Sequence, residues 1–436
     1  MNLTPYRDEQ TPHREILPGG AVLLASPMKT AHAVTLGVFL RTGSQDEAAD
    51  VNGVTHFIEH MVFKGTERFS AFELAAGFDA VGAVVDAFTT KDMVAFTIKV
   101  LPEYFARGVE LLTEMLLRPT FAPDLVAMEQ KVVLEEIQEA LDTPEDRLHD
   151  AFAGRLYRGH GRGRPILGTP ETVMSFDSGL LRSQHRRLFR PGNVIISMAG
   201  NIQAGARELV AGAFGGLPRP DVGEDTDSTA ETAAACREPE AVPGAGAESL
   251  RLEITSPIIQ TYFELGNLGI PFHHRDRMGV YLLNNILGGG MSSRIFQAVR
   301  EREGLAYTVY NYADMGRDIG LVSCAGSCSP DKFPRLADVI RAEYALLMRD
   351  GVTESELEGN RAQLKSQLIF SLEGMVNRMY RLARNETYFG RFVPVTEIVD
   401  AIDAVSDEDI RACAGRYFNP DSLLVAVHGP ESALAG

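Results

Sequence analysis

The chain contains the same short pattern twice, once in each half of the sequence. Residues 187–200 and residues 416–429 each read as the end of a helix, a turn at proline and a buried apolar strand. Three pairs of residues match at one constant spacing: Phe189 with Phe418, Pro191 with Pro420, and Gly200 with Gly429. The repeat predicts that the chain folds as two halves of the same architecture.

The segment between the two copies differs from both. Residues 218–249 are rich in Ala, Gly, Pro, Asp, Glu and Ser and show little periodicity, which predicts an exposed linker. We therefore expect domains at residues 1–217 and 250–436. Each half mixes strands, such as an apolar one at 33–41, with pairs of helices. This order predicts an α+β fold of two duplicated domains, each a mixed β-sheet with helices packed on one side.

Two histidines, His56 and His60, lie four residues apart in the first half, and Glu59 directly precedes the second one. Residues at that spacing lie one turn apart on one face of an α-helix, so both imidazoles can reach one metal ion. A catalytic zinc ion needs three protein ligands, an open position for water, and a base beside that water. The order H-x-x-E-H predicts two ligands and the base, and it is typical of the inverted zinc peptidases.

This geometry requires the motif to lie inside a helix. Residues 54–63 read as a helix, and Lys64 and Gly65 suit its C-terminal end. A third ligand, a carboxylate or a histidine, is then expected from another element. A histidine pair in a helix can also be purely structural, so the context of the motif decides between the two interpretations.

Residues 123–141 read as a long helix with apolar residues at helical spacing. Glu129 and Glu136 lie two helical turns apart on one face of this segment. The alternative is that Glu136 and its acidic neighbours Glu135 and Glu139 form the solvated face of an acidic helix.

The stretch from Gly53 to Thr66, GVTHFIEHMVFKGT, resembles the pitrilysin/insulinase-like zinc metallopeptidases. The resemblance is strongest to two-domain members such as the mitochondrial processing peptidase β-subunit and its bacterial relatives, and it covers almost the whole chain. In that family the third ligand is a glutamate well downstream of the motif, and Glu136 follows His60 at the family's spacing. The resemblance implies that His56, His60 and Glu136 hold one Zn2+ per chain and that Glu129 supports them.

A second block, LGGGMSSRIF at 287–296 with REREGLAY at 300–307, is also typical of the family. The resemblance implies that Arg300 and Tyr307 hydrogen-bond the substrate carbonyl at the scissile bond. A cation and a phenol there would stabilise the developing oxyanion. Taken alone, the two residues read as a surface cation and a core aromatic.

The second copy of the repeat lacks the metal ligands of the first. Asn285 lies opposite His56, and Gly289 lies opposite His60. We therefore expect that only the first half binds zinc.

The stretch VVDAFTT at 84–90 corresponds to the family's edge strand beside the zinc. An extended peptide can pair with such an edge through backbone hydrogen bonds. Asp86 stands where the family usually has Asn, so it keeps an acceptor but loses the amide donor. An ordinary strand is the alternative interpretation. The substrate-binding residues implied by the resemblance are Val84, Val85, Asp86, Ala87 and Phe88.

The composition excludes several classes of protein. The formal net charge is −17 with no basic stripe, which argues against a nucleic-acid partner. No long apolar run predicts a membrane span, and no apolar N-terminal stretch predicts a secretory signal. Four cysteines are too few for a disulfide framework, so a reducing bacterial cytoplasm is the expected location. They are Cys236, Cys324, Cys328 and Cys413.

These observations predict a zinc-dependent endopeptidase that hydrolyses extended peptides or unfolded segments through a zinc-activated water, with Glu59 as general base. The alternative is a non-catalytic core or scaffold subunit of a processing-peptidase-like complex. Larger relatives carry zinc in the first of four such domains and the Arg/Tyr pair in the fourth. The resemblance therefore implies a dimer in which Arg300 and Tyr307 reach the partner's zinc. A homodimer is expected, and a heterodimer with a related chain is the alternative.

Overall fold

The computed structural model of the chain describes residues 11–217 and 251–431. Each of these ranges contains one mixed β-sheet with helices packed against it, so the predicted α+β fold is confirmed. The predicted linker at 218–249 lies outside the described residues, as does Cys236. We propose that the boundary between the two halves falls in that segment.

The first half forms a six-stranded sheet in the order β1-β2-β6-β3-β5-β4. Strands β2 and β6 are parallel, and every other neighbouring pair is antiparallel. Strand β4 therefore lies at one edge, and among the strands of residues 11–217 and 251–431 it pairs with β5 alone. The strands are β1 (His13–Ile16), β2 (Val22–Pro27), β3 (Val34–Leu40), β4 (Val84–Thr89), β5 (Val94–Val100) and β6 (Val194–Gly200).

The second half forms a five-stranded sheet in the order β7-β11-β8-β10-β9. Strands β7 and β11 are parallel and the others antiparallel, so the arrangement repeats that of β2 to β6 in the first sheet. The strands are β7 (Arg251–Thr255), β8 (Thr261–Gly269), β9 (Ala306–Met315), β10 (Gly320–Cys328) and β11 (Leu424–Gly429). The hairpin β9–β10 thus occupies the position that β4–β5 has in the first half.

Helices cover one face of each sheet and enclose two large apolar cores. Those of the first half are α1 (Val54–Met61), α2 (Ala71–Ala80), α3 (Phe105–Leu117), α4 (Pro123–Asp142), α5 (Pro144–Leu156), α6 (Pro170–Met174), α7 (Ser178–Leu188) and α8 (Ala206–Phe214). Those of the second are α9 (Arg277–Gly288), α10 (Phe333–Asp350), α11 (Glu354–Ser371), α12 (Met375–Phe389), α13 (Val395–Ala404) and α14 (Asp407–Tyr417). A π-helical segment, Phe296–Arg302, follows α9.

The two halves exchange one helix each. Helix α5 of the first half packs on the second sheet, where Phe152 meets Leu321 and Ala426. Helix α12 of the second half packs on the first sheet, where Met379 and Leu382 meet the strand residues Val22, Leu24, Phe39 and Ile195. Each sheet is therefore buried on its second face by a helix of the other half.

A glycine in β3 makes room for the exchanged helix. A Cβ atom on Gly37 would lie 2.5 Å from the ring of Phe39 and 2.9 Å from the sulfur of Met379, so a larger residue there would force these side chains to shift. The backbone of α12 is fixed at the same point, because Ser197 Oγ donates a 2.9 Å hydrogen bond to the Met379 carbonyl.

Several elements agree with the sequence. The motif helix, the long acidic helix and the apolar strand of the first half are present as α1, α4 and β3. Both copies of the repeat end a helix, turn at proline and enter a fully buried strand. Cys324, Cys328 and Cys413 are buried free thiols. None of the helices in residues 11–217 and 251–431 combines the length and apolar composition that crossing a bilayer requires.

We predict that truncating a core side chain of the exchanged helix α5 destabilises the whole chain. Phe152 is fully buried between α5 and the second sheet, so Phe152→Ala should lower the free energy of unfolding by about 3–5 kcal/mol. Phe370→Ala removes the same ring from a 67% exposed position on α11 and should change it by less than about 0.5 kcal/mol. Urea unfolding of both variants measures the difference. Equal effects would show that α5 does not hold the halves together.

Candidate functional site

Helix α1, which carries the motif, begins against a carboxylate from an earlier loop. Glu47 is buried and accepts hydrogen bonds from the backbone N–H groups of Gly53 (2.7 Å) and Thr55 (2.8 Å). These amides lie at the helix N-terminus, where they have no partner within the helix and where negative charge is stabilised. Asn52 Nδ2 donates a further bond of 2.9 Å to Glu47. Glu47 thereby fixes where α1 starts and which way its first turn faces.

The histidines of α1 meet a glutamate of α4. The rings of His56 and His60 are 4.5 Å apart between centroids. Glu136 Oε2 lies 3.8 Å from His56 Nε2 and 3.6 Å from His60 Nε2. Side chains from two helices that are distant in the sequence are thus brought to one point.

This cluster fits a zinc ion. Its three candidate ligand atoms lie within 4.8 Å of one another, and it is the one such group in the described part of the chain. Glu136 Oε2 is shut off from solvent without any hydrogen-bond donor, although two imidazole nitrogens face it. Two nitrogens and one carboxylate oxygen are a donor set that zinc accepts in catalytic sites. A cation among the three side chains would satisfy the unpaired oxygen.

Glu129 holds one of the histidines from behind. It is buried, and its two carboxylate oxygens accept from His60 Nδ1 at 2.9 Å and from Lys64 Nζ at 2.6 Å. This contact turns His60 Nε2 toward Glu136, which is how outer carboxylates orient metal-binding histidines. Lys64, predicted from the sequence only to lie at the end of the helix, also forms this ion pair with Glu129.

The electrostatics favour a neutral His56. Burial, assisted by the charge of His60, lowers the pKa of His56 to about 3, so that its ring keeps a lone pair for a metal. Burial also opposes a charge on His60, but the hydrogen bond with Glu129 and the nearby carboxylates outweigh it and raise the His60 pKa. The two histidines therefore differ in environment although they lie one turn apart.

Glu59 lies on the same helix and contacts the sheet edge. It is buried, and its Oε2 accepts a short hydrogen bond from the Thr89 hydroxyl at the end of β4. Burial raises the pKa of Glu59, and the bond from Thr89 acts in the opposite direction. The substrate-binding residues predicted from the sequence end at Phe88 and do not include Thr89, which makes this contact. No local pattern signals this contact, because it links a helix with a strand that is distant in the sequence.

Strand β4 presents an unpaired backbone edge beside these residues. Val85 and Ala87 pack toward the first core, while Phe88 packs on the opposite face against Tyr380 of α12 at 5.6 Å. Val84 and Asp86 are exposed. The strand predicted at the edge of the sheet is therefore at that edge.

Arg300 and Tyr307 form a pair on the surface of the second half. The guanidinium of Arg300 lies 4.3 Å from the centre of the Tyr307 ring and donates a 3.2 Å hydrogen bond to the Tyr307 carbonyl. Tyr307 is 79% exposed. Among the hydrogen bonds, ion pairs and ring contacts of the described residues, none connects this pair with the His–His–Glu cluster of the same chain. The structure therefore leaves both side chains facing outward.

The second half has an amide cluster in place of the metal cluster. Asn285, on α9, donates to Asn360 Oδ1 at 2.6 Å and to Gln363 Oε1 at 3.0 Å, both on α11. Gly289, which matches His60 in the repeat, has no side chain that could bind a metal. Neutral amides satisfy one another without a cation.

The fold and the His–His–Glu cluster agree with the similarity of this chain to known proteins. The family model described as Insulinase (Peptidase family M16) matches residues 23–170, and the one described as Peptidase M16 inactive domain matches residues 175–364. An uncharacterized zinc protease of Bacillus subtilis is 35% identical over 407 residues, which is 91% of this chain and 93% of that protein. The chain belongs to peptidase family M16.

Other M16 relatives extend the similarity over nearly all of the chain. An uncharacterized zinc protease of Mycobacterium tuberculosis is 35% identical over 438 residues, 97% of this chain and 94% of the relative. A crystal structure of a protease from Helicobacter pylori shares the fold at a TM-score of 0.86 with 20% identity, over 96% of this chain and 99% of that one. A crystal structure of a peptidase M16 inactive domain from Pseudomonas fluorescens shares the fold at a TM-score of 0.84 with 22% identity. The match covers 97% of this chain and 98% of that one.

We predict that zinc binding depends on Glu136 and does not depend on the adjacent Glu135. Glu136→Ala removes the carboxylate that meets both imidazoles, so the purified variant should lose its zinc. Glu135→Ala removes an exposed carboxylate from the same turn of α4 and should retain it. Glu129→Gln should weaken zinc binding by about 10- to 100-fold because His60 loses its charged partner. Metal analysis and competition with a chelating dye measure all three, and retention of zinc by Glu136→Ala would exclude this ligand set.

Proposed function

We propose that this M16 protein is a zinc-dependent endopeptidase of the inverted H-x-x-E-H type. The observation that carries the proposal is one cluster in which His56, His60 and Glu136 converge while Glu59 lies on the same helix as the histidines. The zinc ligands would be these two histidines and Glu136, one ion per chain, with Glu129 as the outer support of His60. Zinc, when bound, supplies a Lewis acid that polarises the substrate carbonyl and makes a water more acidic.

Glu59 would move the protons. Its Oε2 is occupied by the Thr89 hydroxyl, which leaves Oε1 to take a proton from the attacking water as the new C–O bond forms. Burial raises the Glu59 pKa, which suits a group that must hold this proton briefly. Glu59 would then deliver it to the leaving amine as the C–N bond breaks.

The substrate would bind as an additional strand. The unpaired edge of β4 offers backbone N–H and C=O groups at residues 84–88, and pairing with them requires an extended segment but few particular side chains. This supports peptides or unfolded protein segments as the substrate class. Asp86 would meet the substrate with acceptors only, since a carboxylate lacks the amide donor.

Arg300 and Tyr307 would complete the site from another chain. Both belong to the second half and face outward, and within the described residues their contacts do not include the metal cluster of their own chain. A cation and a phenolic O–H are suited to stabilise the tetrahedral oxyanion. We infer a dimer in which the pair of one chain serves the cluster of the other. A homodimer suffices because one sequence carries both parts.

The test of the proposed function is Glu59→Gln. Glutamine keeps the size of the side chain and can still accept from Thr89, but it cannot take a proton from water. The variant should bind zinc as the wild type does and lose about 100- to 10,000-fold in kcat on unstructured peptides. Glu67→Gln, an exposed substitution outside α1, should leave kcat unchanged. Zinc-loaded Glu59→Gln protein with wild-type turnover would refute the proposal.

A complementation experiment tests the shared site. Glu59→Gln and Tyr307→Phe chains should each be nearly inactive as homodimers. Co-expressed with different tags and purified as mixed dimers, they contain one intact cluster facing one intact Tyr307, so activity should return to one site per dimer. Glu59→Gln paired with Glu136→Ala carries both lesions in the first half and should stay inactive. If mixed dimers form without recovering activity, Tyr307 acts within its own chain.

A further inference from the structure

Asp92 lies in the turn between β4 and β5 and is 5% exposed. Its carboxylate accepts four hydrogen bonds. Two donors belong to the first half: Gln45 Nε2 at 3.0 Å and Arg162 Nη1 at 3.0 Å. The other two belong to the second half: the Tyr388 hydroxyl at 3.0 Å and the backbone N–H of Arg317 at 3.1 Å. A buried carboxylate is tolerated only when its lone pairs are satisfied in this way.

The same turn is connected to the proposed base. Thr89, three residues before Asp92, donates to Glu59. The residues between are held by hydrogen bonds, because Thr90 Oγ1 accepts from the N–H groups of Asp92 (3.3 Å) and Met93 (3.0 Å), and the Thr90 N–H donates to the Met93 carbonyl at 2.8 Å. A displacement of Asp92 would therefore be passed to Thr89.

Arg162 joins the turns of two equivalent hairpins. It is almost fully buried and bonds Asp92 with one nitrogen and Asp314 of β9 with the other, the latter at 2.6 Å. The β9–β10 turn comes so close that a Cβ atom on Gly316 would lie 2.2 Å from Arg162 Nη1. Through Arg162, the β9–β10 turn of the second sheet thus packs against the equivalent β4–β5 turn of the first sheet.

We propose that Asp92 is a positioning residue, through which the second half of the chain holds Thr89 and the substrate-binding edge strand in register with Glu59. The inference rests on the proposed function. An edge strand has a paired neighbour on one side only, so β4 is held by fewer backbone hydrogen bonds than a central strand, and an anchored turn restrains it further. Small misplacements of a catalytic group are costly to the rate. The half that lacks metal ligands would therefore contribute to catalysis within its own chain as well as through Arg300 and Tyr307.

Tyr388→Phe tests the connection with the smallest change. The variant keeps the ring stacked on Phe272 at 4.5 Å and removes only the hydroxyl that reaches Asp92. Tyr312→Phe is the matched control, because its hydroxyl also links the halves, through His149 of α5 and the buried Glu264, and neither of these two hydrogen bonds involves a residue of the β4–β5 turn. Both variants should keep wild-type zinc content.

Tyr388→Phe should lower kcat by about 3- to 10-fold and raise KM, because one hydrogen bond to the anchor is lost. Tyr312→Phe should leave both constants near those of the wild type. Independently of turnover, hydrogen exchange of the amides at 84–92 should accelerate at least about threefold in Tyr388→Phe and remain unchanged in Tyr312→Phe. Amides of the central strand β3 serve as the internal reference.

Thr89 variants complete the test. Thr89→Val removes the hydroxyl that reaches Glu59 and should lower kcat about 10- to 100-fold, whereas Thr89→Ser keeps it and should recover most of the rate. In the Thr89→Val background, Tyr388→Phe should cost less kcat than it does in the wild type, because the connection is already broken.

The outcomes separate this inference from the proposed function. If Glu59→Gln abolishes turnover but Tyr388→Phe matches Tyr312→Phe in kcat and in hydrogen exchange, the enzyme is as proposed and the positioning role is wrong. If the wild type has no peptidase activity, the proposed function fails, and unchanged exchange at 84–92 in Tyr388→Phe would reject the anchoring as well. Full additivity of Thr89→Val and Tyr388→Phe in kcat would exclude the route through Thr89.

Discussion

Each β-sheet of this protein needs cover on both faces, and the chain meets that need by exchanging helices between its halves. Strands β3 and β6 are buried along their whole length, so their apolar side chains alternate into two separate cores. One core belongs to the first half, and the other is closed by α12 from the second half. Helix α5 covers the second sheet in the same way. Neither half can bury all of its apolar surface without the other.

This dependence has a consequence for the site. Phe88 of the edge strand packs on Tyr380 of α12, and Asp92 of the adjacent turn is held by Tyr388 of the same helix. The strand proposed to bind substrate is therefore in contact with both halves. The duplicated half has an amide cluster at Asn285 where the first half has its metal cluster, yet its helix and hairpin still support the half that carries the ligands.

The candidate metal site combines local and distant interactions. His56 and His60 owe their proximity to helical periodicity alone, so any chain that forms α1 presents both on one face. Glu136 and Glu129 reach them only because α4 packs across α1. Glu47 and Thr89, from a loop and a strand end, then fix the start of that helix and one oxygen of Glu59. Removing solvent from this assembly, together with the different charges around each ring, is what separates the pKa values of the two histidines.

By itself, the sequence determined what depends on short spacing and on repetition: the helix of His56, Glu59 and His60, the duplication of an α+β unit, and the absence of ligands from the second copy. Glu136, the proposed third ligand, could be predicted from the resemblance to a family but not from periodicity. Only the tertiary structure decided that Glu47 starts α1, that Thr89 contacts Glu59 and that Asp92 joins the halves. It also decided that α5 and α12 each pack on the sheet of the other half. The separations range from six residues, between Glu47 and Gly53, to 296, between Asp92 and Tyr388. Local propensity carries no information on any of these contacts, since the free energy that selects them comes from packing and desolvation of the whole chain.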